Sequence, residues 1–169
     1  MLWFCLAPGP SMSRELAERV RGQKVCVVGN TYELAPWADV LVANDTKWWR
    51  LHPEAHGFAG RKFSANKIAG VEQIQPNTFG SRSNSGVLAL DCLRNLGATR
   101  VVLLGFDMHG THFFGPYTNG CANTSDFRRK AHLQQFKQWR AKNKEIEIFN
   151  CTQGSALKCF PLARLEDVL

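Results

Sequence analysis

Residues 101–107 read VVLLGFD, and this stretch decides the predicted fold. Four consecutive apolar residues that end at Gly105 are typical of a strand that is buried on both faces and followed by a turn. Directly upstream, apolar side chains recur at helical spacing between Val87 and Leu96, and Gly97 ends that segment. A buried helix that leads into a buried strand is typical of parallel sheets with helical crossovers.

Similar short apolar runs recur on both sides of this stretch. Strands are predicted at residues 2–6, 24–28, 39–43 and 145–149, with weaker candidates at 61–64 and 71–75. Helices are predicted at residues 13–21 and before the last strand, the latter with Phe127, Leu133, Phe136 and Trp139 on its inner side, and a helical turn is predicted at 155–157. The 169 residues match the size of one domain. We therefore expect a single α/β domain over residues 1–169, with three layers, in which helices cover both faces of a mainly parallel sheet.

The charge balance favours an anionic partner. The chain carries 21 Lys and Arg residues against 14 Asp and Glu residues, which gives a net charge of +7. Much of the excess lies between Arg128 and Lys144, a pattern typical of a solvated helix face or, alternatively, of a surface that faces phosphate. Because this segment lacks the interleaved aromatic and glycine residues of RNA-binding modules, nucleic acid is disfavoured as a partner. A DNA-bound or virion-associated structural protein is the alternative that the basic helix alone supports.

The cysteines and the N-terminus bear on the cellular compartment. The six cysteines form no C-x-x-C motif, so we expect free thiols in a reducing cytoplasm. The apolar run at residues 1–7 has no preceding basic region and ends at Pro8, so it is too short for a signal peptide or a membrane span. In the irregular middle of the chain, Trp48, Trp49 and Phe58 are candidates for a contact surface of a homo-oligomer.

Polar and glycine-rich steps follow the predicted strands. The carboxyl ends of parallel strands share one edge of the sheet, where loops and helix N-termini form the ligand site. The candidate ligand-binding residues at this edge are Gly9, Pro10, Ser11, Asn30, Asn44, Asp45, Asn84, Ser85, Gly86, Gly105 and Asp107. Each is also an ordinary turn or cap residue, so the prediction depends on the whole group. Amide and carboxylate groups suit a base or ribose and a helix N-terminus suits a phosphate, which together predict a nucleotide pocket.

The motifs of other common ligand sites do not occur in this sequence. No G-x-G-x-x-G follows a strand, and neither G-x-x-x-x-G-K-S/T nor G-x-S-x-G is present. The sequence therefore gives no support to a dinucleotide-binding site, a P-loop or a hydrolase nucleophile elbow. It favours a mononucleotide-containing ligand.

The loop at residues 108–124 is rich in glycine, histidine and aromatic residues, and we expect it to act as a lid. His109 and His112 are candidates for a catalytic acid or base because histidine titrates near neutral pH, and Tyr117 is a further candidate contact. The two histidines are three residues apart, but Asp107 and Cys121 are the only further ligands nearby, so no metal site is expected. No cofactor is expected apart from a nucleotide or nucleotide sugar as the ligand.

Five segments of the chain, taken in order, resemble one family of enzymes. They are Gly9-Pro10-Ser11, Gly29-Asn30, Ser85-Gly86, Leu104-Gly105-Phe106-Asp107, and Asn150-Cys151-Thr152 with Ser155-Ala156-Leu157. Together they resemble the bacterial sialyltransferases of the lipooligosaccharide type and a related set of small phage-encoded proteins of uncertain function. The resemblance covers most of the chain through short motifs.

The resemblance implies a Rossmann-like sheet, a cytidine monophosphate sugar as the donor, and no metal. It implies that Pro10 and Ser11 lie by the donor phosphate, Asn30 and Asn44 by the nucleotide, Ser85 by the sugar, and Gly105 with Asp107 by the ribose or base. This chain departs from the family at Pro8, where the family has an asparagine, and at Pro116, where it has the lid histidine. His112 is the nearest replacement for that base.

Two functions stay open on these observations. One is a metal-independent, glycosyltransferase-like enzyme that uses a nucleotide sugar. The other is a phage protein in the host cytoplasm that sequesters or cleaves a nucleotide-derived, cyclic signal without glycosyl transfer.

Overall fold

The structure, a computed structural model, describes residues 1–74 and 78–169 and contains one sheet of seven parallel strands. The strands are β1 (Leu2–Leu6), β2 (Val25–Val28), β3 (Val40–Val42), β4 (Arg61–Ser64), β5 (Glu72–Gln73), β6 (Arg100–Leu104) and β7 (Glu147–Asn150). They pair in the order β5-β4-β3-β2-β1-β6-β7, and every pairing is parallel. The predicted α/β, Rossmann-like fold is confirmed, with a sheet that is parallel throughout.

Helices lie on both faces of the sheet. The α-helices are α1 (Arg14–Glu18), α2 (Thr46–Leu51), α3 (Ser85–Asn95) and α4 (Asp126–Lys142). Side chains of α3 and α4 pack with Trp3 and Cys5 of β1, whereas those of α1 and α2 pack with Phe4 and Leu6 of the same strand. Because neighbouring strand residues point to opposite faces, β1 contributes to both apolar layers. Its continuous apolar sequence follows from this position in the middle of the sheet.

The strand order places a switch point between β1 and β6. From β1 the chain adds β2, β3, β4 and β5 in one direction, and then returns to the other side of β1 with β6. At such a point the loops that leave the two central strands diverge and open a crevice at the carboxyl edge. The base of the crevice is tight, because the Gly9 amide donates a 3.0 Å hydrogen bond to the Gly105 carbonyl.

The strands predicted from the sequence are present within a residue or two at each end. The weak candidate at 71–75 corresponds to β5, and its last predicted residue, Gln75, lies outside the described residues. The predicted helical turn at 155–157 is wrong. The Ser155 hydroxyl donates to the Phe106 carbonyl at 2.5 Å and accepts from the Leu157 amide at 3.0 Å, and these bonds hold a non-helical bend.

The predicted inner side of α4 is wrong at one position. Phe127 is 83% exposed, whereas Phe136 and Trp139 are buried. Nine residues separate Phe127 from Phe136, and at 3.6 residues per turn this spacing places the two side chains on opposite faces of the helix. The apolar face of α4 is therefore confined to its later turns.

The predicted contact surface in the middle of the chain is also wrong. Trp48, Trp49 and Phe58 are all buried in the apolar layer on the side of α1 and α2. Both indole N–H groups are used internally, since Trp48 donates to Asn30 Oδ1 and Trp49 donates to the Ala43 carbonyl. All three rings therefore belong to the core. Among residues 1–74 and 78–169, no helix has the length and apolar character needed to cross a membrane.

Candidate functional site

A cleft of about 740 Å³ lies at the carboxyl ends of β1, β2, β3 and β6. The sequence-predicted residues that line it are Gly9, Asn44, Asp45, Asn84, Ser85, Gly86, Gly105, Asp107, His109, His112 and Tyr117. Pro10, Ser11 and Asn30 do not line it. The fold therefore brings segments between Ala7 and Phe136 around one cavity, which is large enough for a nucleotide.

Asp107 is a buried carboxylate on the wall of this cleft. Only 3% of the residue is exposed, and its Oδ2 accepts hydrogen bonds from the Ser11 hydroxyl at 2.8 Å and the Ser11 amide at 3.3 Å. Its backbone carbonyl accepts from the Ala156 amide at 2.8 Å, which fixes the turn. Within the described chain Oδ1 has no hydrogen-bond partner. Ser11 thus orients Asp107 from outside the cleft and leaves one carboxylate oxygen to accept from a ligand.

Asn30 lies behind the cleft wall, where all its side-chain groups are bonded to protein. Its Oδ1 accepts from Trp48 Nε1 and from the Tyr117 hydroxyl, both at 2.8 Å. Its amide nitrogen donates to Glu33 at 2.7 Å and to Nε2 of His52 at 3.1 Å. Because Nε2 accepts, the His52 proton is on Nδ1, which donates to the Trp48 carbonyl at 2.8 Å. Asn30 therefore fixes the lid tyrosine to the core.

Asn44 lines the cleft, but its side chain is likewise occupied by protein groups. The amide nitrogen donates to the carbonyls of Ser81 and Ser83, at 3.0 and 2.7 Å, and Oδ1 accepts from the Ala65 amide at 3.1 Å. Its backbone amide donates to the Ser85 hydroxyl at 3.0 Å. Asn44 thus holds the end of β3 against the segment that leads into α3.

The N-terminus of α3 is a third element of the cleft. Asn84 caps the helix, because its Oδ1 accepts from the Val87 amide at 3.0 Å, and its own backbone N–H donates to Gln135 of α4 at 2.9 Å. The N–H groups of Ser85 and Gly86 belong to the first turn, so the helix provides no acceptor for them. The helix dipole adds partial positive charge at the same place. This corner of the cleft is suited to an anion.

The loop at residues 108–124 forms one side of the cleft and is packed in place. Its Phe113 amide donates to the Pro8 carbonyl at 3.1 Å, and the ring of His112 stacks on Phe114 with centroids 4.7 Å apart. His109 contacts the Gly154 carbonyl at 3.2 Å through Nε2. The predicted lid therefore rests on the turn after β1 and on the core.

The ring of His112 is neutral at neutral pH, so it is able to accept a proton. Burial lowers its pKa, an effect that its hydrogen bond to the Gly115 carbonyl opposes. That bond, at 3.2 Å, uses the proton on Nδ1, and Nε2 is then an acceptor on the neutral ring. Burial also raises the pKa of the Tyr117 hydroxyl well above its ordinary value, so Tyr117 stays protonated and donates to Asn30.

Sequence reasoning missed the part of the cleft wall that α4 supplies. Arg128, Ala131, His132 and Gln135 of α4 line the cleft, together with Arg129 and with Arg82 and Ser83 before α3. Arg128 lies three and four residues before Ala131 and His132, and Gln135 lies four and three residues after them. These four side chains therefore lie on one face of α4. That spacing, directly after the lid, was the available signal within a basic segment for which a solvated helix face and a phosphate-facing surface were both open. Burial lowers the pKa of His132, and the charges of Arg128 and Arg129 lower it further.

The described residues contain no group of three or more His, Cys, Asp or Glu side chains arranged to hold a metal ion. His109 and His112 each contact a carbonyl oxygen instead. Comparisons of the chain with protein-family models, with curated proteins and with solved structures found no match.

Proposed function

We propose that the protein binds a nucleotide or a nucleotide sugar in the cleft at the carboxyl edge of its sheet. The observation that carries the proposal is the position of Asp107, a buried carboxylate that Ser11 orients at the switch point of a parallel sheet. Ligands of open α/β sheets bind at such a point. The oxygen that Ser11 leaves without a partner suits the hydroxyl groups of a ribose, since a carboxylate only accepts hydrogen bonds.

The remaining walls of the cleft suit the other parts of such a ligand. The N-terminus of α3 provides N–H donors for a phosphate, and Arg82 and Arg128 add positive charge at the cleft. Phe106 and Phe136 contribute aromatic lining. The turn after β1 lacks the G-x-G-x-x-G pattern that accommodates a pyrophosphate, which favours a mononucleotide over a dinucleotide cofactor.

Titration calorimetry with the four nucleoside 5′-monophosphates, cytidine monophosphate sugars and cyclic dinucleotides tests this proposal. We expect binding of at least one of these ligands, and we expect Asp107→Asn to weaken it about tenfold, as the loss of one hydrogen bond to a charged group does. Asp167→Asn, an exposed substitution outside the cleft, is the matched control and leaves the affinity unchanged. Absence of binding across the panel, or equal affinities for both variants, refutes the proposal.

Glycosyl transfer is the second candidate function, and His112 is the observation that favours it. A neutral imidazole with Nε2 as an acceptor, on the wall of the cleft, suits the deprotonation of an acceptor hydroxyl. Release of free nucleotide from a panel of nucleotide sugars measures this activity. If the wild type releases no more nucleotide than His112→Ala, transfer is refuted. Ligand recovered unchanged after binding then favours a protein that sequesters its ligand.

A further inference from the structure

We infer that the cleft contains a dedicated phosphate subsite at the N-terminus of α3, formed by the Ser83 hydroxyl, the N–H groups of Ser85 and Gly86, and the charge of Arg128. The ligand class that this subsite takes is a phosphomonoester or phosphodiester whose phosphate enters the corner between α3 and α4. This inference rests on the proposed function and names the end of the cleft that receives the phosphate.

The first observation is the hydroxyl of Ser83. Ser83 lines the cleft and is 5% exposed, yet its Oγ is buried without any hydrogen-bond partner. Buried hydroxyl groups nearly always form hydrogen bonds, because burial without a partner removes their bonds to water and replaces them with none. The only other buried side-chain oxygen without a partner in the described chain is Oγ1 of Thr31, which does not line the cleft. An anion bound at the end of α3 would supply an acceptor for the Ser83 hydroxyl once this side chain turns toward the cleft, since the Oγ has almost no exposed surface.

The second observation is the way in which the backbone around Ser83 is fixed. The carbonyls of Ser81 and Ser83 accept from the Asn44 side chain, and the carbonyl of Arg82 accepts from Gln135 at 3.0 Å. Carbonyl oxygens repel a phosphate, and here each is occupied by an amide donor. The side chains of Asn44, which follows β3, and of Gln135 in α4 thus hold the segment so that its carbonyl acceptors are already bonded before any ligand enters. The geometry is preorganised for an anion.

The third observation is that two first-turn N–H groups stay available next to this hydroxyl. Asn84 donates its own N–H to Gln135 and satisfies the N–H of Val87 through its side chain. Ser85 and Gly86 lie between them in the chain and have no bond of this kind within the described residues. Both residues line the cleft. Two backbone donors therefore lie at the start of α3, within three residues of the unpartnered Ser83 hydroxyl.

The fourth observation is the distribution of charge. Within the described chain Arg82 and Arg128 form no ion pair, whereas Arg129 is bonded to Asp126 and to the Gly110 carbonyl. The carboxylate of Asp107 belongs to the turn after β6 and repels a phosphate from that side. Asp45, whose carboxylate caps α2, also lines the cleft, so the N-terminus of α3 and the charges of Arg82 and Arg128 mark the end that favours the phosphate of a ligand with hydroxyl groups at its other end.

Binding of inorganic phosphate and of matched nucleoside and nucleotide pairs tests the subsite. We expect inorganic phosphate to bind and to displace cytidine monophosphate, and each 5′-monophosphate to bind at least tenfold more tightly than its nucleoside. Ser83→Ala lowers the affinity for phosphate about tenfold, because one hydrogen bond to a charged group is lost. Thr31→Val removes the other unpartnered buried hydroxyl and leaves the affinity unchanged, so it is the matched control.

Arg128→Ala is an independent variant. Because Arg128 is exposed, we expect this substitution to leave the folding of the protein unchanged. It lowers the affinity for phosphate several-fold, while Lys137→Ala removes an equal charge from the same helix outside the cleft and has no such effect. Equal phosphate affinities for wild type, Ser83→Ala and Arg128→Ala, or no phosphate binding at all, refute the subsite. Nucleosides that bind as tightly as nucleotides refute it while leaving the proposed function standing. Phosphate binding that depends on Ser83 without any gain from a nucleoside supports the subsite and refutes the proposed function.

Discussion

The hydroxyl of Ser11 donates a 2.8 Å hydrogen bond to Oδ2 of Asp107 across 96 residues of sequence. This bond joins the turn after β1 to the turn after β6, the two strands that flank the switch point. It also decides which oxygen of the carboxylate is left for a ligand. The cleft is therefore shaped by a contact that both central loops share.

The bond between Ser11 and Asp107 is expected to stabilise the fold measurably. Ser11→Ala removes the hydroxyl bond to a buried carboxylate, while the bond from the backbone amide of residue 11 remains, and it lowers the free energy of unfolding by about 1.5 kcal/mol at neutral pH, the range of hydrogen bonds to charged groups. When Asp107→Asn is already present, Ser11→Ala lowers the free energy of unfolding by less, because the side chain that loses the hydroxyl bond carries no charge. Urea unfolding of the four proteins of this cycle measures the coupling. Additive losses would contradict a direct interaction.

Gly9 is required by the close approach of the same two turns. A Cβ at this position lies 2.0 Å from Asp107 Oδ2 and 2.3 Å from the Gly105 carbonyl oxygen. Gly9→Ala therefore displaces backbone as well as the carboxylate, and we expect it to lower the free energy of unfolding by about 3 kcal/mol. At Gly57 a Cβ meets nothing within 4 Å, so Gly57→Ala is the control, with a change within about 0.5 kcal/mol. Thermal unfolding distinguishes the two, and an equal effect contradicts the geometry.

We expect the loss of the Asn30 side chain to destabilise the loop at residues 108–124 more than the loss of the Tyr117 hydroxyl does. Asn30→Ala leaves the Trp48 indole and the Tyr117 hydroxyl without their acceptor and lowers the free energy of unfolding by about 3 kcal/mol. Tyr117→Phe removes a single bond and lowers it by about 1 kcal/mol. Hydrogen exchange across residues 108–124 is expected to rise in both variants, and more in the first. Unchanged exchange in Asn30→Ala would show that the lid is held by its ring contacts alone.

The pH dependence of anion binding is expected to report on His132. In the free protein burial and the charges of Arg128 and Arg129 lower the pKa of His132 below 6.5, so the ring is neutral at pH 7 and its contribution to stability is lost as pH falls. An anion bound at α3 and α4 favours the charged ring and raises this pKa. Anion binding therefore takes up a proton and tightens as pH falls from about 7.5 to about 5.5.

Sulfate is the suitable probe for this prediction, because it stays doubly charged over that range. We expect its affinity to rise several-fold toward low pH in the wild type and less in His132→Gln. The exposed His56 lies outside the cleft, and His56→Gln is the control that keeps the wild-type dependence. An identical pH profile in His132→Gln contradicts the role of His132.

The sequence by itself determined the layers of this fold and the edge that carries the cleft. Continuous apolar runs such as 101–104 predict strands buried on both faces, and a glycine or asparagine after each run predicts a turn. Since all parallel strands end at one edge, the residues after those strands converge whatever the details of the packing. Gly9, Asn44, Gly105 and Asp107 were found in this way.

Tertiary structure decided which polar groups at that edge are available to a ligand. Asn30 and Asn44 were predicted to face a nucleotide, yet every polar atom of their side chains is bonded to protein, in one case to a tyrosine 87 residues away. Ser83 carried no signal of its own, and the sequence left open whether Arg128 faces solvent or phosphate; both line the cleft because α4 packs beside α3. The spacing of apolar residues along the sequence predicts which side chains of a strand or helix are buried. A free hydrogen-bonding group, by contrast, depends on partners that only the folded chain brings within 3 Å, and for that reason only the folded chain shows it.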